Sequence, residues 1–123
     1  MTDDSLFARL GGYDAISAVA HELLRRLRAD EQLGRFWAHR GSDGIARERQ
    51  LLIDFLCANA GGPMYYTGRD MQTSHEGMAI SASDWDVFIG HLGATLDSFD
   101  VPQTEHEQVI AFIETTRDDI VEA

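Results

Sequence analysis

Gly61-Gly62-Pro63-Met64-Tyr65-Tyr66-Thr67-Gly68-Arg69-Asp70-Met71-Gln72-Thr73-Ser74-His75-Glu76-Gly77-Met78-Ala79-Ile80 is the stretch on which the fold turns. It opens with two conformationally permissive glycines and a proline that cannot continue a helix. Tyr65 to Arg69 reads as loop, and Asp70 to Gly77 as a short helical piece. The segment has too few apolar residues to form a packed helix pair. A loop of this length inside a compact domain is usually functional, so something is expected to hold it in place from within.

On either side the chain reads as helix punctuated by glycine. A short helix around Ser5 to Leu10 stops at Gly11-Gly12. A second runs from about Asp14 to Arg28, with Ile16, Val19, Leu23 and Leu27 at helical spacing and Leu24 beside them. Leu33 to Trp37 forms an aromatic corner leading into a polar loop, His39 to Gly44. A third long helix, about Ile45 to Ala60, carries Leu52, Phe55, Leu56 and Asn59 on one face. Beyond the loose middle, Ser81-Ala82-Ser83-Asp84 reads as an N-cap region. It opens a helix to about Phe99, with Trp85, Phe88, Leu92, Leu96 and Phe99 on one face. Pro102 breaks the chain, and Thr104 with Glu107 has capping-box spacing. A last helix carries Val109, Ile110, Phe112, Ile113 and Ile120. The expectation is an all-α chain, residues 1–123 forming a single domain.

The 123 residues are long enough to bury a sizeable core, and 44% hydrophobic with 25% charged residues is a globular profile. A formal charge of −11 repels phosphate backbones and anionic lipid, so neither nucleic acid nor membrane is expected as a partner. No apolar run approaches the roughly 20 residues of a membrane span. The opening Met1-Thr2-Asp3-Asp4 is acidic and lacks the apolar stretch of a secretory signal. With one cysteine, Cys57, no internal disulfide can form; a reducing cytoplasm fits.

Five histidines are present: His21, His39, His75, His91 and His106. No pair has zinc spacing within one helix, and no His-Glu-x-x-His, Gly-x-Ser-x-Gly or phosphate loop occurs. No nucleophile-and-base pair stands out for cofactor-free catalysis. Cys57, in mid-helix, reads as a small buried hydrophobe, and His91 as structural. His75 differs in placement. A histidine on a short helix above an apolar pocket suits a single axial bond to the iron of a flat apolar cofactor. A solvated surface histidine is the other reading.

The chain resembles the truncated haemoglobins, most closely their first group. Ser5-Leu6-Phe7-Ala8-Arg9-Leu10-Gly11-Gly12 is similar to that family's opening helix and first glycine pair. Leu27-Arg28-Ala29-Asp30 through Phe36-Trp37 resembles its second helix and aromatic corner. Gly61-Gly62-Pro63 with Tyr66-Thr67-Gly68-Arg69-Asp70-Met71 resembles the second glycine pair and the approach to the proximal histidine, and His75-Glu76-Gly77 the proximal site. Gly90-His91-Leu92 and the break at Asp100-Val101-Pro102 complete a match covering nearly the whole chain in order.

The resemblance implies a two-over-two helical sandwich around haem b, with His75 as the protein ligand to iron. The implied cofactor-binding residues are His75, Trp37, Phe36, Leu24, Leu51, Leu52, Phe55, Tyr66, Arg69, Met71 and Phe88. Trp37 stands where a wedging phenylalanine or tyrosine is usual. Arg69 could pair with a propionate. The departures lie on the other side of the haem. The tyrosine commonly found on the second helix is Leu24 here, and the polar positions of the third helix are Leu51 and Leu52. Glu48 falls at the entrance position and reads as an outward, solvated carboxylate. The resemblance implies diatomic gases (O2, CO, NO) as ligands and an apolar distal pocket, in a chain expected to be a monomer. Gas binding or transport leads. Sensing and redox chemistry, such as nitric oxide oxidation or peroxide turnover with a reductase partner, are also roles of the family. The rival from another class is a cofactor-free helical interaction module, in which His75 would be a surface residue.

Overall fold

The computed structural model describes residues 5–63, 66–68 and 70–122. Its elements are α1 (Leu6–Arg9), α2 (Gly12–Ala29), a 3₁₀ turn (Gly34–Trp37), α3 (Ser42–Asn59), α4 (Met71–His75), α5 (Ala82–Ser98), α6 (Gln103–Glu114) and α7 (Arg117–Ile120). No strand occurs among the described residues. α2 packs on α3 and on α5, α5 packs on α6, α1 bridges α2 and α6, and α4 lies against α7. The four long helices thus make two pairs, α2–α3 over α5–α6.

The core follows from the helical period. Ile16, Ala20, Leu23 and Leu27 fall on one stripe of α2 and are all buried. They meet Ile53, Leu56 and Cys57 from α3, Trp85, Leu92 and Leu96 from α5, and Val109 and Ile113 from α6. Leu23, Leu92 and Leu96 are essentially sealed from water; each such burial is worth about 1.5–3 kcal/mol. An apolar cavity of about 120 Å³ remains between α2, α5 and α6, lined by Ile16, Val19, Leu92, Leu96, Val109 and Phe112 among others.

Four details differ from the sequence reading. The buried stripe of α3 is Ile53, Leu56 and Cys57, one position round from the expected face, and Asn59 instead caps the Phe55 carbonyl at 2.8 Å. Phe99 is 43% exposed, because α5 ends at Ser98 and leaves it outside the packed face. The Thr104–Glu107 capping box does not form: α6 starts at Gln103, one residue after Pro102, whose ring already sets the entry φ. The last helix is broken, since the Thr115 and Thr116 hydroxyls bond back to the Phe112 and Ile113 carbonyls where the helix stops.

The corner after α2 is built by Asp30. Its carboxylate accepts the backbone N–H groups of Gln32 (2.8 Å) and Leu33 (3.0 Å) and lies 2.7 Å from His91 Nε2 on α5. His91 therefore ties two helices together. Gly34 follows, where a Cβ would sit 2.9 Å from the Arg28 carbonyl oxygen. Only glycine allows that approach, and the turn that follows packs on α2 and brings the Trp37 indole to Glu48 on α3.

Candidate functional site

α4 is one and a half turns long and buries no residue. A helix this short does not hold itself; its ends are tied. At the front, Asp70 caps it by accepting the Thr73 N–H at 2.7 Å, and the same bond holds the Asp70 carboxyl below the ordinary carboxylate range. Its last residue is His75. His75 Nδ1 lies 2.8 Å from the Met71 carbonyl oxygen and 2.9 Å from Ser74 Oγ. A carbonyl only accepts, so Nδ1 carries the proton and donates it there. In the neutral ring Nε2 then keeps its lone pair, the form of imidazole that ligates a metal.

The turn after His75 is unusual. Gly77 (φ 84°) and Ala79 (φ 55°) both occupy the left-handed region, a conformation costing a non-glycine residue about 1–2 kcal/mol. The turn is held from far along the chain. Glu122 Oε2 accepts the Gly77 N–H at 3.0 Å, Oε1 accepts the Ala79 N–H at 2.9 Å, and the Glu122 N–H reaches the Ile80 carbonyl at 2.9 Å. These amide bonds, the Gly77 one foremost, lower the Glu122 carboxyl below its usual value.

Several large apolar side chains are left only partly covered by the core. Phe36, Trp37, Leu52, Phe55, Met71 and Phe88 all pack against the core cluster yet remain half-buried. Phe36 and Trp37 meet edge to face at 6.3 Å between centroids, Phe55 and Tyr66 at 5.4 Å, and Phe88 leans on the buried Trp85 at 5.3 Å. Tyr66 folds back over Gly68, where a Cβ would overlap its hydroxyl. Burial, with Asp70 second, raises the Tyr66 phenol above its ordinary value. Leu24 is buried but lies outside the core cluster, and Leu51 is half-buried and outside it too. Arg69 falls outside the described residues. Among the described residues, none of those expected to bind the cofactor lines the 120 Å³ cavity.

Glu48, one turn before Leu51 and Leu52 on α3, is not an outward carboxylate. Trp37 Nε1 lies 3.1 Å from both of its oxygens, Arg40 pairs with Oε2, and its side chain is only 30% exposed. An indole N–H and a guanidinium within reach turn it inward, which sequence spacing alone does not show.

Two other partners were invisible to sequence reasoning. Asp84, 2% exposed, accepts Arg35 Nη2 (2.7 Å), Gln32 Nε2 (2.7 Å) and the Ser81 N–H (3.0 Å). Arg35 above all holds its carboxyl far below the usual range. The Ser81-x-x-Asp84 spacing marks the cap, which forms as a full capping box, but nothing local marks Arg35. Glu122 likewise carries no local signal.

The donor set restricts what the site could hold. Among the described residues no three His, Cys, Asp or Glu side chains gather to bind a metal ion. One imidazole suffices only where the remaining ligands come from a macrocycle. A single histidine with a fixed tautomer, in a chain that leaves several aromatic and aliphatic side chains half-buried, fits such a group.

The chain is similar to known globins. The family model for bacterial-like globins matches residues 5–122. A group 1 truncated haemoglobin of Mycolicibacterium paratuberculosis is 30% identical over 109 residues, covering 89% of this chain and 78% of its own length. The group 1 truncated haemoglobin of Tetrahymena pyriformis is 29% identical over 117 residues, covering 95% and 94%. The crystal structure of the Tetrahymena pyriformis protein in its Fe(III) form superposes with a TM-score of 0.89 at 28% identity, over 98% of this chain and all of that one. The chain is a globin of the bacterial-like family, and within that family it belongs to the group 1 truncated haemoglobins. Its cofactor is haem, and the two helix pairs are the two-over-two sandwich of these proteins. Among the described residues no helix is long and apolar enough to cross a membrane.

Proposed function

We propose that the chain holds haem b through His75 Nε2, in the cleft walled by Phe36, Trp37, Leu52, Phe55, Met71 and Phe88, and binds diatomic gases there. The observation that carries this reading is the 2.8 Å contact from His75 Nδ1 to the Met71 carbonyl. It fixes the tautomer and ring orientation, as an axial ligand requires. Haem, when bound, would supply an iron that His75 Nε2 could ligate and at which a small neutral gas could bind. The half-buried aromatic and aliphatic walls exclude water and supply the apolar contact that a porphyrin face needs. Tyr66, edge to face with Phe55, is the candidate residue at the haem edge, and Arg69, outside the described residues, is the candidate propionate partner.

On the far side of the cleft the chain offers Leu24, Leu51 and Leu52, which neither donate nor accept a hydrogen bond. Trp37 and Glu48, the latter one turn before Leu51 and Leu52, are bonded to each other. The site is therefore suited to ligands that need no donor. Carbon monoxide is the test case for tight binding, and dioxygen for weak retention.

The deciding experiment is the absorption spectrum and haem content of the purified protein and of His75→Ala. The wild type is expected to be red with an intense near-ultraviolet band. The variant is expected to lose haem, or to hold it loosely and recover its spectrum when free imidazole is added. Full haem content and an unchanged spectrum in the variant would remove His75 from the role.

A further inference from the structure

We propose that Glu122 is a positioning residue for His75, acting through the turn that follows α4. The inference rests on the reading of His75 as the haem ligand. α4 has five residues and buries none of them, so its contacts with α7 and the core hold it only in part. Two tethers at its ends add to that. The Asp70 cap holds the front, through Thr73. The back depends on Gly77 and Ala79, both left-handed, within four residues of the histidine.

Those two amides converge on one carboxylate. Each Glu122 oxygen takes one of them, at 3.0 and 2.9 Å, and the bonds are charge-assisted. The Glu122 N–H returns a third bond to Ile80. A neutral or shorter side chain could not bind both amides from one point, and the left-handed Ala79 would then have little to hold it. The turn begins with a bond from the Met78 N–H to the His75 carbonyl, 3.2 Å long. A shift of the turn is thus transmitted to the residue that bears the imidazole. Glu122 does not reach the cleft itself; it sets how firmly His75 is presented to it.

The experiment compares Glu122→Ala and the isosteric Glu122→Gln with Ile113→Val, a mild core substitution that lowers stability without touching the turn. Three quantities are read: amide exchange at Gly77 and Ala79 in the apoprotein, haem transfer to an excess of an apoglobin acceptor, and the iron–histidine stretching band of the ferrous protein. Glu122→Ala is expected to speed exchange at both amides, to release haem roughly tenfold faster, and to shift or broaden the stretching band. Glu122→Gln, which keeps one acceptor oxygen, is expected to fall between it and the wild type. Ile113→Val is expected to leave the band unmoved. An unchanged band and release rate in both Glu122 variants would overturn the proposal, as would the same changes in Ile113→Val. A wild type without a histidine band, or a His75→Ala variant that keeps one, would instead sink the reading of the ligand.

Discussion

Trp37 donates its indole N–H to Glu48, with Nε1 3.1 Å from each carboxylate oxygen, so one aromatic of the proposed haem cleft is bonded to the charged residue one turn before Leu51 and Leu52. Arg40 pairs with the same carboxylate. An N–H shared between two anionic oxygens is not free to turn toward a ligand without leaving a half-buried charge short of a partner.

Oxygen retention therefore tests the distal side. Dioxygen gains from a donor facing its site, and carbon monoxide gains much less. Such a bond is worth about 1.5–3 kcal/mol, roughly tenfold to a hundredfold in dissociation rate. Trp37→Phe is expected to change oxygen release by no more than about twofold, because the lost donor was serving Glu48. Leu24→Tyr is expected to slow release by roughly tenfold or more, with a smaller effect on carbon monoxide. Stopped-flow dissociation from the two variants and the wild type measures both. A wild type that already releases oxygen slowly, and quickens sharply in Trp37→Phe, would show that the indole leaves Glu48 for the ligand.

The buried Asp84 carboxylate makes a second test, of the corner that carries Phe36 and Trp37. It binds Arg35 and Gln32 from that corner and the Ser81 N–H from its own helix cap. Asp84→Asn removes the charge and places an amide donor among donors. The expected loss is about 2–3 kcal/mol at neutral pH. The folded carboxyl titrates below the unfolded value of roughly 3.9, so its stabilisation is complete above that value and is lost as pH falls below it. The wild-type advantage over Asp84→Asn is therefore expected to shrink below about pH 4, by up to roughly 1.4 kcal/mol per pH unit. Urea unfolding of both proteins at pH 7 and pH 3 checks the sign. An equal difference at the two pH values would mean that the charge contributes nothing.

What the sequence makes legible here is whatever is written at helical spacing. Ile16 to Leu27 and Trp85 to Leu96 show their buried stripes directly, and Ser81-x-x-Asp84 announces its cap. His75 stands out because its segment lacks anything else to do the packing. What is missed around the site depends on partners distant in the chain. Asp84 and Arg35 lie 49 residues apart, and Glu122 and Gly77 lie 45 apart. Glu48 reads as a solvated charge until the fold brings Trp37 beside it. At Thr104 the error is local. A capping spacing is present, but Pro102 has already set the helix start, and the cap has nothing left to do.

The segment from Gly61 to Ile80 gives the last test, because its order should depend on the cofactor more than any other part of the chain. The described part of it contains one helix of five residues with nothing buried, and Ile80 is its one buried apolar side chain. The flanking helices α3 and α5 each contribute several residues to the core. Local stability follows buried apolar contact, so without haem the segment retains little beyond the Asp70 cap and the Glu122 bonds. A ligand that binds only the folded form stabilises most what it touches. Hydrogen exchange on the apo and holo proteins is expected to show protection lost chiefly between residues 66 and 79. The core of α2, around Leu23, is expected to change little until global unfolding. If α2, α3 and α5 lose protection in equal measure, the haem is supporting the whole sandwich. The loose middle would then owe its order to the core after all.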